Sequence, residues 1–215
     1  MHVKARRTAR RSASRRRSGR DTAQRILDSA RELLMRAGDA QFSMRNVAAQ
    51  AGLHLANVQY YYPTRDALMR AILADTGARY RAAYERLRAM HSGDRVQRFR
   101  AVVDFNLRDI ADRRTRRFFI QLWALLNTLD GETGSLHNEL YEIDIAQLSE
   151  CIAELAPQAS AAEVRRRATL LAAMIEGLVL VRGAHSRKAS ELKQLIARAR
   201  ALGMQIALGL AGDIN

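Results

Sequence analysis

Gly52 and Pro63 bracket a short stretch, "LHLANVQYYY", and this pair of breaks limits the fold more than any other feature of the chain. Only two prolines occur in the 215 residues, so a stop at Pro63 stands out against long helical text. Glycine ends a helix by taking up positive φ; proline ends one because it has no N–H to donate and crowds the preceding turn. Before the glycine, "SMRNVAAQAG" sets Met44, Val47, Ala48 and Ala51 on one face at helical spacing, with Ser43 in the N-cap position. Ala48 is small where a second helix has to cross, and Leu53 and Val58 return to the apolar side after the turn. Two short helices meeting at a glycine turn form a helix-turn-helix, whose second helix is free to enter a major groove. That second helix ends in Tyr60, Tyr61 and Tyr62. Successive helical side chains diverge by about 100°, so the three rings cannot share one environment.

The flanks read as helix too. "DTAQRILDSARELLMRAG" (21–38) repeats Ala23, Ile26, Leu27, Ala30, Leu33, Leu34 and Ala37 at three- and four-residue steps, with Asp21 and Gln24 in capping-box spacing and Gly38 as a stop. Thr64 and Asp66 open a long helix predicted over 64–90. Further helices are predicted at about 95–112, 113–129, 135–156, 161–184 and 190–210, with loops at 130–135 and 157–160. No segment alternates apolar and polar residues over a strand's length. The fold class expected is all-α: an N-terminal three-helix domain carrying the helix-turn-helix, then a larger helical domain. The domain limits expected are a disordered basic arm at 1–20, the helix-turn-helix domain at 21–66, and the second domain at 67–215.

The location of the charge matters more than its total of +14. Residues 1–20 hold nine cations, from Lys4 to Arg20, and no acid, whereas residues 21–66 hold five Arg balanced by five Asp and Glu. A segment of this composition cannot build a core. It serves either as a solubilising tail or as an arm that condenses on phosphate and releases counterions. An organelle transit peptide has a similar composition, but an arm beside a helix-turn-helix is the better explanation.

Several classes of function find no support. A single cysteine, Cys151, rules out an internal disulfide or a Cys-based zinc site. The five histidines show no ligand spacing, and neither a nucleophile elbow nor a phosphate loop occurs. No enzyme activity, metal or cofactor is expected. No apolar run approaches the roughly 20 residues that span a bilayer, so no membrane partner is expected and the location expected is cytoplasmic.

Three stretches, "RILDSARELLMRAG", "FSMRNVAAQAGL" and "VQYYYPTRDALMRAIL", together make residues 22–72 resemble the DNA-binding domain of TetR-family transcriptional repressors. More loosely, "FFIQLWALL" and "MIEGLVL" make residues 115–180 similar to the ligand-binding part of the betaine-regulator-like branch. The resemblance implies a ligand-responsive repressor that acts as a homodimer on a palindromic DNA operator. It implies phosphate or groove-edge contacts for Ser43 and Arg45, and base readout from His54, Leu55, Ala56, Asn57 and Gln59. Asparagine and glutamine can pair bidentately with adenine, and Leu or Ala can touch a thymine methyl. It sends the Tyr60 hydroxyl to a backbone phosphate with Tyr61 nearby, keeps Tyr62 for the core, and aims Thr64 and Arg65 at the same DNA strand. His54 stands where the family has a Ser or Thr cap, Leu55 where it often has a basic residue, and Gln59 where it often has an aromatic one.

In the second domain, Tyr84, Phe119, Trp123, Asn127, His137 and Tyr141 are candidates to line an effector site, with Leu126 and Cys151 beside them. The same rings at helical spacing also suit a core. The resemblance implies dimerisation through the last two helices. Leu171, Ile175 and Leu178 are the candidates on one, and Leu195, Leu202 and Ile206 on the other; Gly177 and Gly183 would allow close approach. A single helix-turn-helix reads too few base pairs for tight specific binding, which also favours a dimer. The competing reading is a non-specific nucleic-acid-binding protein that works through its basic arm.

Overall fold

A computed structural model describes residues 2–126, 133–185 and 189–210, with side chains over 18–38, 40–125, 138, 140–181 and 190–210. Among these residues every regular element is helical. The α-helices are α1 His2–Ala37, α2 Met44–Ala51, α3 Leu55–Tyr61, α4 Arg65–Met90, α5 Arg95–Ala111, α6 Arg113–Leu126, α7 Thr133–Leu155, α8 Ala161–His185 and α9 Ala189–Leu208. The chain divides into two compact units, one up to Asp75 and one from Thr76 onward.

The first unit packs α1, α2, α3 and the opening turns of α4. Its core joins Ile26, Ala30 and Leu34 of α1 to Val47 and Ala48 of α2, Val58 of α3, and Leu68 and Ile72 of α4, all buried. Each start and stop has a local cause. The Ser43 Oγ accepts the Asn46 N–H at 3.2 Å, capping α2. The Thr64 Oγ1 accepts the Ala67 N–H at 3.0 Å, capping α4. Such caps contribute roughly 1 kcal/mol each.

The start of α1 differs from the sequence expectation. The backbone of the basic segment is helical from His2, so Asp21 and Gln24 lie inside the helix rather than at its cap. Arginine and alanine are strong helix formers, and no proline interrupts the segment. Gln24 bridges helices instead: its amide donates to Asp75 at 3.3 Å, and Arg31 pairs with the same carboxylate at 3.6 Å. These contacts tie α1 to α4 and help explain why the division falls at Asp75 and Thr76 rather than after residue 66. The first turns of α4 supply Leu68, Met69, Ile72 and Leu73 to the first core.

In the second unit α5 touches α6, α7, α8 and α9, and α7 packs along α8. Its core gathers Phe99, Val103 and Leu107 of α5, Leu148 and Ile152 of α7, and Ala168, Leu171 and Ile175 of α8. Asp94 caps α5 by accepting from Val96 and Gln97, at 2.9 and 3.0 Å. Asp112 caps α6 by accepting the Thr115 N–H at 2.8 Å, and that bond holds its carboxyl below the usual range.

Candidate functional site

The turn between α2 and α3 depends on one residue. Gly52 takes φ 63° and ψ 38°, the left-handed region. Its N–H reaches the Ala49 carbonyl at 3.2 Å, while the Leu53 N–H reaches Ala48 at 2.9 Å. This double closure is a Schellman turn, and glycine enters it without the steric cost of a Cβ. Leaving the turn, α3 holds Val58 fully buried and presents His54, Ala56, Asn57 and Gln59 to solvent. Leu55 is half-buried, so only part of its side chain is presented. No side-chain bond from His54 caps the helix. Ser43 is half-buried and Arg45 exposed at the start of α2.

The three tyrosines separate as helical geometry requires. Tyr60 is 81% exposed, an extreme value for a large ring. Tyr61 is half-buried, meets Tyr60 edge-on with centroids 5.1 Å apart, and points its hydroxyl toward Gly19 of α1. Tyr62 turns inward and its hydroxyl donates to the Ala23 carbonyl at 3.4 Å; burial, then the charge of Asp75, raises its pKa. Beyond Pro63, Thr64 is exposed. Arg65 is less available than its type suggests: its guanidinium lies 6.0 Å over the Phe42 ring, and its Nε is out of solvent.

The second unit buries a group of aromatic and acidic side chains. The Tyr80 ring lies within 6.2 Å, centroid to centroid, of Tyr84, Phe105 and Phe119, and Phe119 stands 6.0 Å from Trp123. Tyr80 donates to Asp109. The Tyr84 hydroxyl is 2.6 Å from an Asp144 oxygen and 2.8 Å from the Asn106 carbonyl oxygen. Burial pushes the Asp144 carboxyl up to about 6, and Asp109 adds to the rise while the Tyr84 bond opposes it. Glu176 is pushed up to about 7 by burial, then by the charges of Asp144 and Asp109. Burial, with Glu176 and Asp144, also raises Tyr141.

Of the six ring and polar residues expected to line an effector site, Tyr84, Phe119, Trp123 and Tyr141 belong to this one neighbourhood. Asn127 lies outside the described residues, as does the side chain of His137. Sequence reading missed Tyr80, Asp109, Asp144 and Glu176. Glu176 had a usable signal: it is the one charged residue in the apolar run from Ala168 to Val181.

The expected dimer residues divide in two. Leu171 is 0% and Ile175 4% exposed, so both are already committed to the subunit's own core and cannot meet a partner. Leu178 and Ile206 are half-buried against the same core. Leu195 and Leu202 are exposed, and so are Leu170, Leu180 and Val181, at 61, 60 and 61%. The expected residues do not share one exposure, because α8 is apolar on more than one side. A Cβ placed on Gly177 would meet nothing within 4 Å, consistent with an open face there.

Two family models match. The bacterial regulatory proteins of the tetR family match residues 26–72, and the C-terminal part of BetI-type transcriptional repressors matches residues 95–205. An HTH-type transcriptional regulator in the dhlA 5′ region of Xanthobacter autotrophicus is 49% identical over 49 residues, which is 23% of this chain and 24% of that protein. Among solved structures, a transcriptional regulator from Pseudomonas aeruginosa PAO1 superposes with a TM-score of 0.72 at 19% identity, over 87% of this chain and 90% of that one. A transcriptional regulator from Saccharomonospora viridis, crystallised in complex with choline, gives 0.64 at 20% identity, over 83% and 94%.

Proposed function

The chain belongs to the TetR family of bacterial transcriptional regulators, and from that premise we propose that it is a dimeric, effector-responsive repressor. Each subunit reads one half-site with residues 54–61. The observation that carries this reading is the outward face of α3, where Tyr60 stands 81% exposed beside Asn57 and Gln59, behind a capped and glycine-closed turn. A tyrosine left this exposed, projecting beside hydrogen-bonding side chains, suits a DNA backbone and its groove. Ser43, Arg45 and Thr64 support the same contact as exposed or half-buried groups around α3. Half-sites then lie about 34–36 Å apart, one helical turn, or a multiple of it. The basic helical segment before residue 21 adds contacts to phosphate that carry no sequence information.

The pairing surface we infer is the exposed apolar stripe of Leu170, Leu180 and Val181 on α8, with Leu195 and Leu202 on α9. Exposed apolar patches of this kind mark interaction surfaces. The effector acts by binding more tightly to the form whose two α3 helices are wrongly spaced for DNA, which shifts the population toward that form. Helix α4 carries residues of both units and is the lever in this reading.

Footprinting on DNA flanking the chain's own gene, with unrelated DNA as competitor, tests the proposal. A protected palindrome that survives excess unrelated DNA is expected. Equal competition by any DNA sinks specific repression and favours binding through the basic segment alone.

A further inference from the structure

Three carboxylates from three helices share one neighbourhood in the second unit: Asp109 of α5 accepts from Tyr80, Asp144 of α7 accepts from Tyr84, whose ring is 6.2 Å from that of Tyr80, and Glu176 of α8 feels the charge of both acids. The charges acting on Glu176 are the other two carboxylates. Burying like charges together costs several kcal/mol per ion, and at Glu176 one oxygen has no hydrogen bond to offset it. The group also holds two unsatisfied atoms. Glu176 Oε2 and Trp123 Nε1 are both out of solvent and have no hydrogen-bond partner among the described residues. Native proteins rarely leave such atoms orphaned, so each one needs an explanation. The Tyr80 hydroxyl donates to Asp109, the rings of Phe119 and Trp123 follow on from the Tyr80 ring, and aromatic faces attract cations. One member, Tyr84, also lines a groove of about 750 Å³ between α4 and α7, together with Arg81, Ile143 and Gln147.

We propose that the effector is a small organic cation bearing N–H groups — a protonated amine, amidine or guanidine — that bonds Glu176 and Asp144 and lays its carbon skeleton on Tyr80, Phe119 and Trp123. This rests on reading the second unit as an effector domain. An anion would add negative charge beside Asp144 and Glu176. A neutral apolar molecule would leave Glu176 Oε2 without a hydrogen. A quaternary ammonium would satisfy the rings but give Glu176 Oε2 no hydrogen. Orphan acceptor, like charges and ring faces are thereby answered by one molecule.

The test is calorimetry on the full chain without DNA, using benzylamine, benzamidine, benzyltrimethylammonium, benzyl alcohol and benzoate. The N–H-bearing cations should bind about tenfold or more tightly than the trimethylated one, because a hydrogen bond to a charged group is at stake. Benzoate and benzyl alcohol should give no heat. Glu176→Gln keeps the shape and should weaken benzylamine about 10- to 100-fold, with Asp144→Asn as the second variant. Benzoate binding as well as benzylamine, equal binding of the trimethylated cation, unchanged affinity in both folded variants, or no binding by either N–H-bearing cation overturns the proposal. Because DNA is absent, failure here leaves operator recognition standing. A failed footprint likewise leaves the calorimetric result intact.

Discussion

The two units carry their chemistry in opposite ways. The first is neutral over residues 21–66, fixes its shape with caps and one glycine, and turns its functional side chains out to water. The second is assembled from distant helices and turns carboxylates inward. A reading surface must be rigid before its partner arrives, and short-range hydrogen bonds supply that. A site for a small molecule can instead hold an electrostatic strain that only its ligand relieves. On the functions proposed for them, stability and function agree in the first unit and oppose each other in the second.

The largest effect expected tests the charge side of this contrast. Deleting residues 1–18 should weaken binding to every DNA sequence, by orders of magnitude at low salt, and flatten the slope of log K against log salt. Gel-shift titrations at several salt concentrations would check it, and an unchanged slope would remove the basic segment from the interface. Sequence preference should survive, because residues 54–61 are untouched.

Next is the outward ring. Tyr60→Phe should weaken operator binding by up to ~3 kcal/mol if its hydroxyl bonds a phosphate. The melting temperature should not move, since the ring is 81% exposed. A loss of stability without a loss of affinity would return Tyr60 to a packing role.

The buried acids make the opposite prediction: a mutation at the site should stabilise. Glu176→Gln should raise the stability of the ligand-free protein at pH 8 by on the order of 1–3 kcal/mol. The folded values of Asp144 and Glu176, about 6 and about 7, lie above their ordinary values of 3.8 and 4.5. The folded state therefore holds these protons longer than the unfolded chain does. Their contribution to stability is complete below pH ~4 and is lost as pH rises through about 6 and 7. The gain from the variant should shrink toward zero near pH 4, which urea melts across that range would read. A cation needs the ionised forms, so benzylamine affinity should rise with pH over the same interval.

The smallest effect belongs to the turn. Gly52→Ala should cost about 1–2 kcal/mol, because a Cβ at φ 63° is strained although the surrounding space is open. If the melt is unchanged, local backbone geometry is not what fixes the first unit.

How much was legible follows the same division. The helix limits from Ser43 to Thr64 were readable because each rests on a residue's own backbone preference or on a bond to a neighbour three or four positions away. The start of α1 was misread because Asp21 and Gln24 have the right spacing for a cap, yet nothing upstream breaks the helix. The apolar period of α8 was readable, but not which of its sides is covered. Leu171 and Leu170 are adjacent and equally apolar, and only the packing of α5 and α7 decides which one is covered.

The sequence by itself determined that this chain is helical, where the helix-turn-helix lies, and that Tyr60, Tyr61 and Tyr62 must diverge. Those are consequences of dihedral preference and a 3.6-residue repeat, which act over a few residues. Only the tertiary structure decided that Asp109, Asp144 and Glu176 face one another and that Glu176 and Trp123 are left with unmatched atoms. Burial and charge repulsion depend on distances between helices, and no spacing along the chain encodes them.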